Sequence, residues 1–300
     1  MLLHLERICG VIVAGGDDGR DVSSVVDFLA GDLWIKQLPN LPQEIAGPSM
    51  VIHNGTIIMC GGWGNKRKCL QLDHGAWKEH STLNVDRVSH SAVTTQTATF
   101  VFGGINSNRK TYEYLPKDST EWIMGKTEIP GGFEDGCAIA VKSEQEIWLL
   151  GGDYSVKRIL SFNTNDHAFQ ELPFQLNVGR VSARCAYIPN TTRIIVTGGS
   201  NSTFSHLDCT EIIDTDKRVS LTASPMNHKR DGHGIGVVNI NGKERVAIFG
   251  GSYEFCHNLD SVELYNTETG KWEKTDIKLN EPKMEFPFLT VRLSDIISKP

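Results

Sequence analysis

The chain has 300 residues, 22% of them charged, and a formal net charge of −6 at pH 7. No run of lysine and arginine forms the basic face that a nucleic-acid partner requires, so composition and charge disfavour nucleic-acid binding. No apolar segment approaches the roughly 18 residues that span a bilayer. His4, Glu6 and Arg7 interrupt the apolar N-terminal stretch, unlike the core of a signal peptide. We therefore expect a soluble protein without a membrane span.

Taken in chain order, six apolar runs each end in a glycine pair. The runs are VIVAGG, IIMCGG, FVFGG, IWLLGG, IIVTGG and VAIFGG, with the pairs at 15–16, 61–62, 103–104, 151–152, 198–199 and 250–251. The first glycines of successive pairs are separated by 46, 42, 48, 47 and 52 residues. Because a β-rich repeat of this length is typical of propeller blades, the period predicts a β-propeller and not a helical solenoid.

Each repeat reads as four strands separated by turn-forming residues. In the third repeat the predicted inner, second, third and outer strands are SHSAVTTQ, TATFVFGG, KTYEYLPK and EWIMGK. The glycine pair ends the second strand, where the chain turns in conformations that side chains resist and approaches a neighbouring backbone. A large side chain is expected 15 to 21 residues after the pair, filling the wedge between blades; the positions are Trp34, Trp77, Trp122, Phe169 and Trp272, with Val219 in the fifth repeat.

The glycine pair, the aromatic strand that follows it (YEYLP, LSFNT, VELYNTETG) and the next tryptophan resemble kelch repeats. Residues at the positions of the family's Arg-x-x-His are Arg87 with His90, Arg230 with His233, and Arg180 in the fifth copy. The resemblance covers essentially the whole chain in six copies. It implies an all-β fold, a six-bladed kelch β-propeller built from four-stranded antiparallel blades.

The two ends of the sequence are expected to share one blade. The chain begins with a second strand, ERICGVIVAGG, and ends with a surplus strand, EFPFLTVRLS, after the outer strand KWEKTDI of blade six. The surplus strand is predicted to complete blade one as its inner strand, which closes the ring and removes open sheet edges. We accordingly predict one monomeric propeller domain over residues 1–300.

Candidate binding residues lie on the loops after the glycine pairs and at the crossovers between blades. Loops on a rigid scaffold usually carry recognition, and a guanidinium can grip a carboxylate through two hydrogen bonds. The alternative for the crossover arginines and histidines is structural, with hydrogen bonds to backbone carbonyls joining neighbouring blades. The predicted partner-binding residues are Arg87, Arg180, Arg230, Trp63, Arg67, Asn106, Arg109, Tyr154, Phe204, His206, Tyr253, Phe255 and His257.

The seven cysteines include no C-x-x-C motif. Two groups fall on neighbouring segments of the predicted fold: Cys60 with Cys69, and His206 and Cys209 with Cys256 and His257. The second group offers four ligands for tetrahedral zinc, a Cys209–Cys256 disulfide, or free thiols. The first pair is either a disulfide or two inert core residues. The sequence leaves these alternatives open.

We predict a non-enzymatic protein-interaction scaffold without a cofactor, which binds a partner segment on the loop face around the propeller channel. The crossover arginines favour an acidic peptide as that segment. The resemblance also implies two alternatives, a secreted kelch module for adhesion or glycan binding and a metal-dependent oxidase of the galactose-oxidase type. Neither a Gly-rich phosphate loop nor an iron-binding Glu-x-x-x-Asp-x-x-x-His motif occurs. A cytoplasmic location is predicted, with an extracellular one as the alternative.

Overall fold

The computed structural model describes residues 9–30, 33–35, 38–141, 144–152, 157–254 and 257–292. They form six antiparallel sheets of four strands each, arranged as the blades of a propeller. The predicted fold class is confirmed. The second strands are almost entirely buried, as in ATFVF, because both of their faces pack against neighbouring blades. The outer strands, such as AWKEHST, are largely polar because their positions face solvent.

Blade one combines three N-terminal strands with the last strand of the chain, whereas blade two is built from four consecutive strands. Blade one contains β1 (Cys9–Ala14), β2 (Val26–Ala30), β3 (Leu33–Ile35) and the last strand, β26 (Phe288–Arg292). Blade two contains β4 (Ser49–His53), β5 (Thr56–Cys60), β6 (Lys68–Asp73) and β7 (Ala76–Thr82).

Blades three and four follow without a break in the period. Blade three contains β8 (Ser91–Thr94), β9 (Ala98–Phe102), a 3-10 helix (Asn106–Lys110), β10 (Tyr112–Pro116) and β11 (Ile123–Met124). Blade four contains β12 (Cys137–Val141), β13 (Glu146–Leu150), β14 (Arg158–Asn163) and β15 (Phe169–Gln175). The four strands predicted for the third repeat are confirmed.

Blades five and six complete the ring, and a short hairpin precedes the third strand of blade six. Blade five contains β16 (Arg184–Tyr187), β17 (Arg193–Thr197), β18 (Thr210–Asp214) and β19 (Val219–Ala223). Blade six contains β20 (Gly234–Ile240), β21 (Lys243–Phe249), the hairpin β22 (Ser252–Glu254) and β23 (His257–Asn258), then β24 (Ser261–Asn266) and β25 (Lys271–Lys278).

The ring closes through the pairing of β1 with β26. The two strands are antiparallel, with Val11 opposite Thr290 and Ile12 opposite Leu289. The C-terminal strand is therefore the inner strand of blade one, as predicted. Because β1 then has a strand on each side, its backbone hydrogen-bonding groups are satisfied within the sheet.

The glycine pairs and the tryptophans occupy the places that their chemistry predicts. Gly103 has φ +65°, and a β-carbon there would lie 1.8 Å from the carbonyl oxygen of Phe133, so a side chain does not fit. The indole N–H of Trp122 donates to Ser81 Oγ at 2.9 Å in blade two, and that of Trp272 donates to Thr210 Oγ1 at 3.0 Å in blade five. These two rings fill the wedge between adjacent blades, while the side chain of Trp34 lies outside the described residues.

A search for membrane-spanning helices among the described residues finds none of sufficient length and apolar character.

Candidate functional site at the channel mouth

Six residues, one from each crossover between blades, form a closed ring of backbone hydrogen bonds. The amide N–H of each donates to the carbonyl oxygen of the preceding member, at 2.6 to 3.3 Å. All have φ between 46° and 65°, in the left-handed region. The members are Gly47, Ser89, Asp135, Ser182, Gly232 and Glu285. Since side chains resist this conformation, the closed ring of hydrogen bonds is what holds the four non-glycine members in place.

This ring surrounds the mouth of the central channel, where a cavity of about 180 Å³ opens. The inner strands of all six blades, or the crossovers that lead into them, contribute residues to its lining. Its polar lining residues include Ser49, Ser89, His90, Ser91, Asp135, Arg184 and Glu285. The mouth is therefore a polar pocket on the propeller axis, built on rigid backbone.

Asp135 is held by two neighbours from the next blade junction. Ser182 Oγ donates to its Oδ2, and Arg184 Nη1 donates to its Oδ1 at 3.2 Å. Both carboxylate oxygens are thus engaged, and the Arg184 charge is compensated locally. Asp135 and Arg184 form a bridge between the crossover before blade four and the inner strand of blade five.

Glu285 differs from Asp135 because no hydrogen bond or ion pair of the described residues reaches its carboxylate. The pKa of Glu285 is raised to about 7, chiefly by burial and also by the nearby carboxylates of Asp135, Asp17 and Asp231, against an opposing effect of Arg184. Near neutral pH this carboxyl group is therefore about half protonated. Glu285 therefore lines the cavity with a carboxyl group that makes no hydrogen bond to the described residues.

Asp231, on the crossover before blade six, accepts a hydrogen bond from one residue of the blade-five loop and forms an ion pair with another. Ser200 Oγ donates to its Oδ2 at 2.5 Å, and His206 Nδ1 lies 2.9 Å from the same oxygen. Burial raises the pKa of Asp231, while the Ser200 hydrogen bond and His206 oppose that shift. Asp231 Oδ1 is buried and has no hydrogen-bond partner among the described residues. His206 is thus a neighbour of the mouth, as the loop prediction placed it.

The three crossover arginines do not lie on this face, and their predicted contact with a partner is corrected. Arg87, Arg180 and Arg230 have no exposed surface at all. Arg87 Nη1 donates to the carbonyl of Gly103 at 2.7 Å, and Arg230 Nη1 donates to that of Gly250 at 2.7 Å. The geometry supports the structural alternative, because each guanidinium donates its hydrogen bonds to buried groups of the next blade and not to a partner.

Each arginine faces a buried glutamate on the third strand of the following blade. The pairs are Arg87 with Glu113, Arg180 with Glu211 and Arg230 with Glu263, at 2.5 to 3.0 Å. An asparagine three residues before each arginine is held by the same glutamate: Asn84, Asn177 and Asn227. We call each such set an Asn-Arg-Glu clamp. The sequence prediction missed the glutamates, although a glutamate inside each of the mainly apolar runs TYEYL, TEII and SVELY was a usable signal.

Two of the remaining junctions replace the charged clamp with apolar residues. Ile45 takes the place of the arginine before blade two and packs in one cluster with Leu70. Phe133 does so before blade four, and it packs in one cluster with Leu160. Arginine and glutamate are therefore either both present or both replaced, as expected when an unpaired buried charge is strongly destabilising.

The two family histidines also act between blades. His90 Nε2 is 2.7 Å from Ser49 Oγ, and His233 Nε2 is 2.7 Å from Thr197 Oγ1. Burial, followed by the Arg87 charge, lowers the pKa of His90 to about 3. His90 is therefore neutral at physiological pH, and the structural interpretation of both residues is supported by their contacts.

Three of the predicted loop aromatics are exposed. Trp63 is 46% exposed, Phe204 is 70% exposed and Tyr253 is 36% exposed. Each comes within a few residues of its glycine pair, in blades two, five and six. Exposed apolar side chains that are grouped on one face mark an interaction site, whereas single ones are normal on any surface. These three form the apolar part of the candidate face.

The other predicted loop residues fall into three groups. Arg67, Arg109 and His257 are exposed, and Arg67 Nε also donates to the Leu83 carbonyl at 2.8 Å. Asn106 begins the 3-10 helix, but its side chain lies outside the described residues. Tyr154 and Phe255 lie outside them altogether.

The cysteines are placed as follows. Cys60 and Cys69, opposite each other on β5 and β6, form a disulfide. A second disulfide, which the sequence did not suggest, joins Cys137 on β12 to Cys185 on β16. Cys209 is free among the described cysteines and accepts a hydrogen bond from Arg180 Nη2 at 3.1 Å. The suggested pairing or zinc site with Cys256 lies outside the described residues.

Within the described part of the chain, no group of three or more His, Cys, Asp or Glu side chains is arranged to hold a metal ion.

Comparison with known proteins finds similarity to kelch-repeat proteins. Residues 244–275, in blade six, match the kelch motif model. Kelch repeat and BTB domain-containing protein 1 of horsepox virus is 26% identical over 129 residues, 39% of this chain and 23% of that protein. Kelch repeat and BTB domain-containing protein A55 of vaccinia virus (strain Western Reserve) is 24% identical over 140 residues, 43% of this chain and 24% of that protein. The chain thus spans about a quarter of the length of these relatives.

The solved structure of YjhT superimposes with a TM-score of 0.68 at 15% identity, over 83% of this chain and 88% of that one. At this identity the likeness concerns the fold. The chain is a six-bladed β-propeller with sequence similarity to kelch-repeat proteins, and the resemblance predicted from its repeats is confirmed.

Proposed function

We propose that this propeller is a non-enzymatic protein-binding platform whose partner contacts the loops around the channel mouth. The observation that carries the proposal is the exposure of Trp63, Phe204 and Tyr253 on loops that follow the glycine pairs of three blades. Aromatic anchors with a polar surround are typical of protein-binding surfaces. Backbone hydrogen bonds tie these loops to the crossovers, as from the Trp63 N–H to the Ala46 carbonyl at 2.7 Å and from the Ser252 N–H to the Asp231 carbonyl at 2.9 Å. Such loops lose less entropy on binding than free ones.

The test compares proteins captured by the wild-type chain with those captured by a triple variant, Trp63→Ala, Phe204→Ala, Tyr253→Ala. The matched control removes exposed apolar residues elsewhere, as Val219→Ser with Leu221→Ser on outer strand β19, where they are 38% and 58% exposed. We expect partners that bind the wild type and the control and are lost from the triple variant. Equal loss in both variants, or no loss in either, contradicts the proposed face.

A secreted kelch module is the second candidate, and the two disulfides favour it. Disulfides persist in oxidising compartments and are rare in the cytosol. Asn54 and Asn190, each in an Asn-x-Thr sequence, are exposed. The intact mass of the protein from its native source, after alkylation without reductant, tests this candidate. Four protected cysteines with attached glycans support secretion, whereas a fully alkylated, unglycosylated chain supports a reducing compartment.

A further inference from the structure

The charges around the channel mouth are mainly negative. Four carboxylates lie within electrostatic reach of one another there, namely those of Asp17, Asp135, Asp231 and Glu285. The cations that oppose them are Arg184 and, when protonated, His206. The arginines expected to make this face positive are all buried in the clamps between blades. The mouth is therefore negatively charged, whereas the predicted acidic partner would require a positively charged one.

The one arginine at the mouth does not neutralise Glu285. Arg184 Nη1 is hydrogen-bonded to Asp135 Oδ1 at 3.2 Å and to the carbonyl of Ala183 at 3.1 Å. His206 is paired with Asp231. Within the described residues, the Glu285 carboxylate accepts no hydrogen bond, although it lines the cavity. Because the Glu285 carboxylate accepts no hydrogen bond and lies near three other carboxylates, the cavity wall is complementary to a positive charge.

We propose that the channel mouth binds a lysine or arginine side chain of the partner, inserted along the propeller axis against Glu285. This inference rests on the proposed function, since it names the chemistry of the segment that docks on this face. The cavity of about 180 Å³ accommodates a single side chain and not a folded element. The exposed aromatics supply the apolar contacts around that charged anchor.

The test selects random 12-residue peptides, displayed on phage, against the immobilised full-length chain. We expect lysine or arginine to be enriched at one position of the selected peptides. Replacing that residue by norleucine in the synthetic peptide should weaken binding about 10- to 100-fold, the effect of losing a charge-assisted contact. Glu285→Gln should weaken the same peptide similarly, and Glu285→Lys should abolish the preference for basic residues.

The matched control is Glu121→Gln, which removes an exposed carboxylate between β10 and β11 and changes the net charge by the same amount. Thermal melting of each variant confirms that the propeller is intact. Enrichment of acidic peptides, or basic peptides that bind Glu285→Lys as well as the wild type, overturns the inference and leaves the proposed platform standing. Failure of the wild type to enrich any sequence counts against both.

Discussion

The Lys283 ammonium and the Asp27 carboxylate are both buried at the junction of blades six and one, yet no hydrogen bond or ion pair joins them. Each is only 1% exposed, and both Lys283 Nζ and Asp27 Oδ2 lack hydrogen-bond partners among the described residues. Asn280 Nδ2 donates to Asp27 Oδ1 at 2.8 Å, as Asn84 Nδ2 and Asn227 Nδ2 do to the glutamates of their clamps. The closing junction therefore carries a shortened clamp, with Lys for Arg and Asp for Glu, whose charged ends do not meet.

Lengthening both side chains should complete that clamp. The double variant Lys283→Arg, Asp27→Glu is expected to stabilise the protein by about 1–3 kcal/mol, because two buried charged groups gain direct hydrogen bonds. Urea denaturation measures the change in the free energy of unfolding. The single variant Lys283→Arg is the control and should gain less. A double variant less stable than the wild type would show that the gap has another cause.

Breaking a complete clamp should be strongly destabilising. Arg87→Ala leaves the Glu113 carboxylate buried without its cation and is expected to cost about 3–5 kcal/mol. The double variant Arg87→Phe, Glu113→Leu reproduces the Phe133–Leu160 junction and should recover part of this loss, since the Asn84 amide still lacks its acceptor. Chemical denaturation compares the three proteins. A loss below about 1 kcal/mol in the single variant would contradict a role in joining blades.

Stability should depend on pH through Glu285. Its pKa is about 7 in the folded protein, above the ordinary value of 4.5. Between these values the folded state binds more protons than the unfolded state, so stability falls as pH rises from 4.5 through 7. Glu285→Gln should therefore be more stable than the wild type at pH 8, by on the order of 2 kcal/mol.

Thermal melting of the wild type and Glu285→Gln at pH 5 and pH 8 measures this difference. The buried histidines His90 and His233, whose pKa values are lowered, titrate in both proteins and cancel in the comparison. If wild type and Glu285→Gln differed in stability by the same amount at pH 5 and pH 8, the raised pKa of Glu285 would be contradicted.

The disulfide between blades four and five should stabilise the protein, because it closes a loop and so lowers the entropy of the unfolded chain. Cys137 and Cys185 are 48 residues apart, and a loop of that length corresponds to about 4 kcal/mol in the chain-entropy model. Cys137→Ser with Cys185→Ser is expected to lose about that amount under non-reducing conditions. Cys209→Ser is the matched control and should be nearly neutral, because Thr111 and Ser261 offer a hydroxyl at the same place in their clamps.

Removal of the closing strand should abolish cooperative folding. A chain ending at residue 284 lacks β26, so β1 loses its antiparallel partner and blade one has an open edge. We expect a broad transition or aggregation by calorimetry and circular dichroism. A single sharp melting transition in the truncated protein would contradict closure by that strand.

The candidate site was predictable only in part. The exposed loop aromatics could be named from the sequence because loops after glycine pairs must lie at one end of their blades. The burial of the crossover arginines could not be predicted, since a sequence does not show that Glu113, Glu211 and Glu263 face them from the next blade. Burial between blades, and not residue type, decides whether an arginine binds a partner or the protein itself.

The sequence by itself determined the propeller, the number of its blades and the closing strand, because glycine pairs and alternating strands are local patterns with a fixed period. Only the tertiary structure decided which charges are paired and which remain open at the channel mouth. Successive members of the ring that carries Asp135 and Glu285 are 42 to 53 positions apart in the chain, and its closing pair, Glu285 and Gly47, is 238 positions apart. Charge pairing depends on such distant neighbours, and their distances exist only once the blades have closed into a ring.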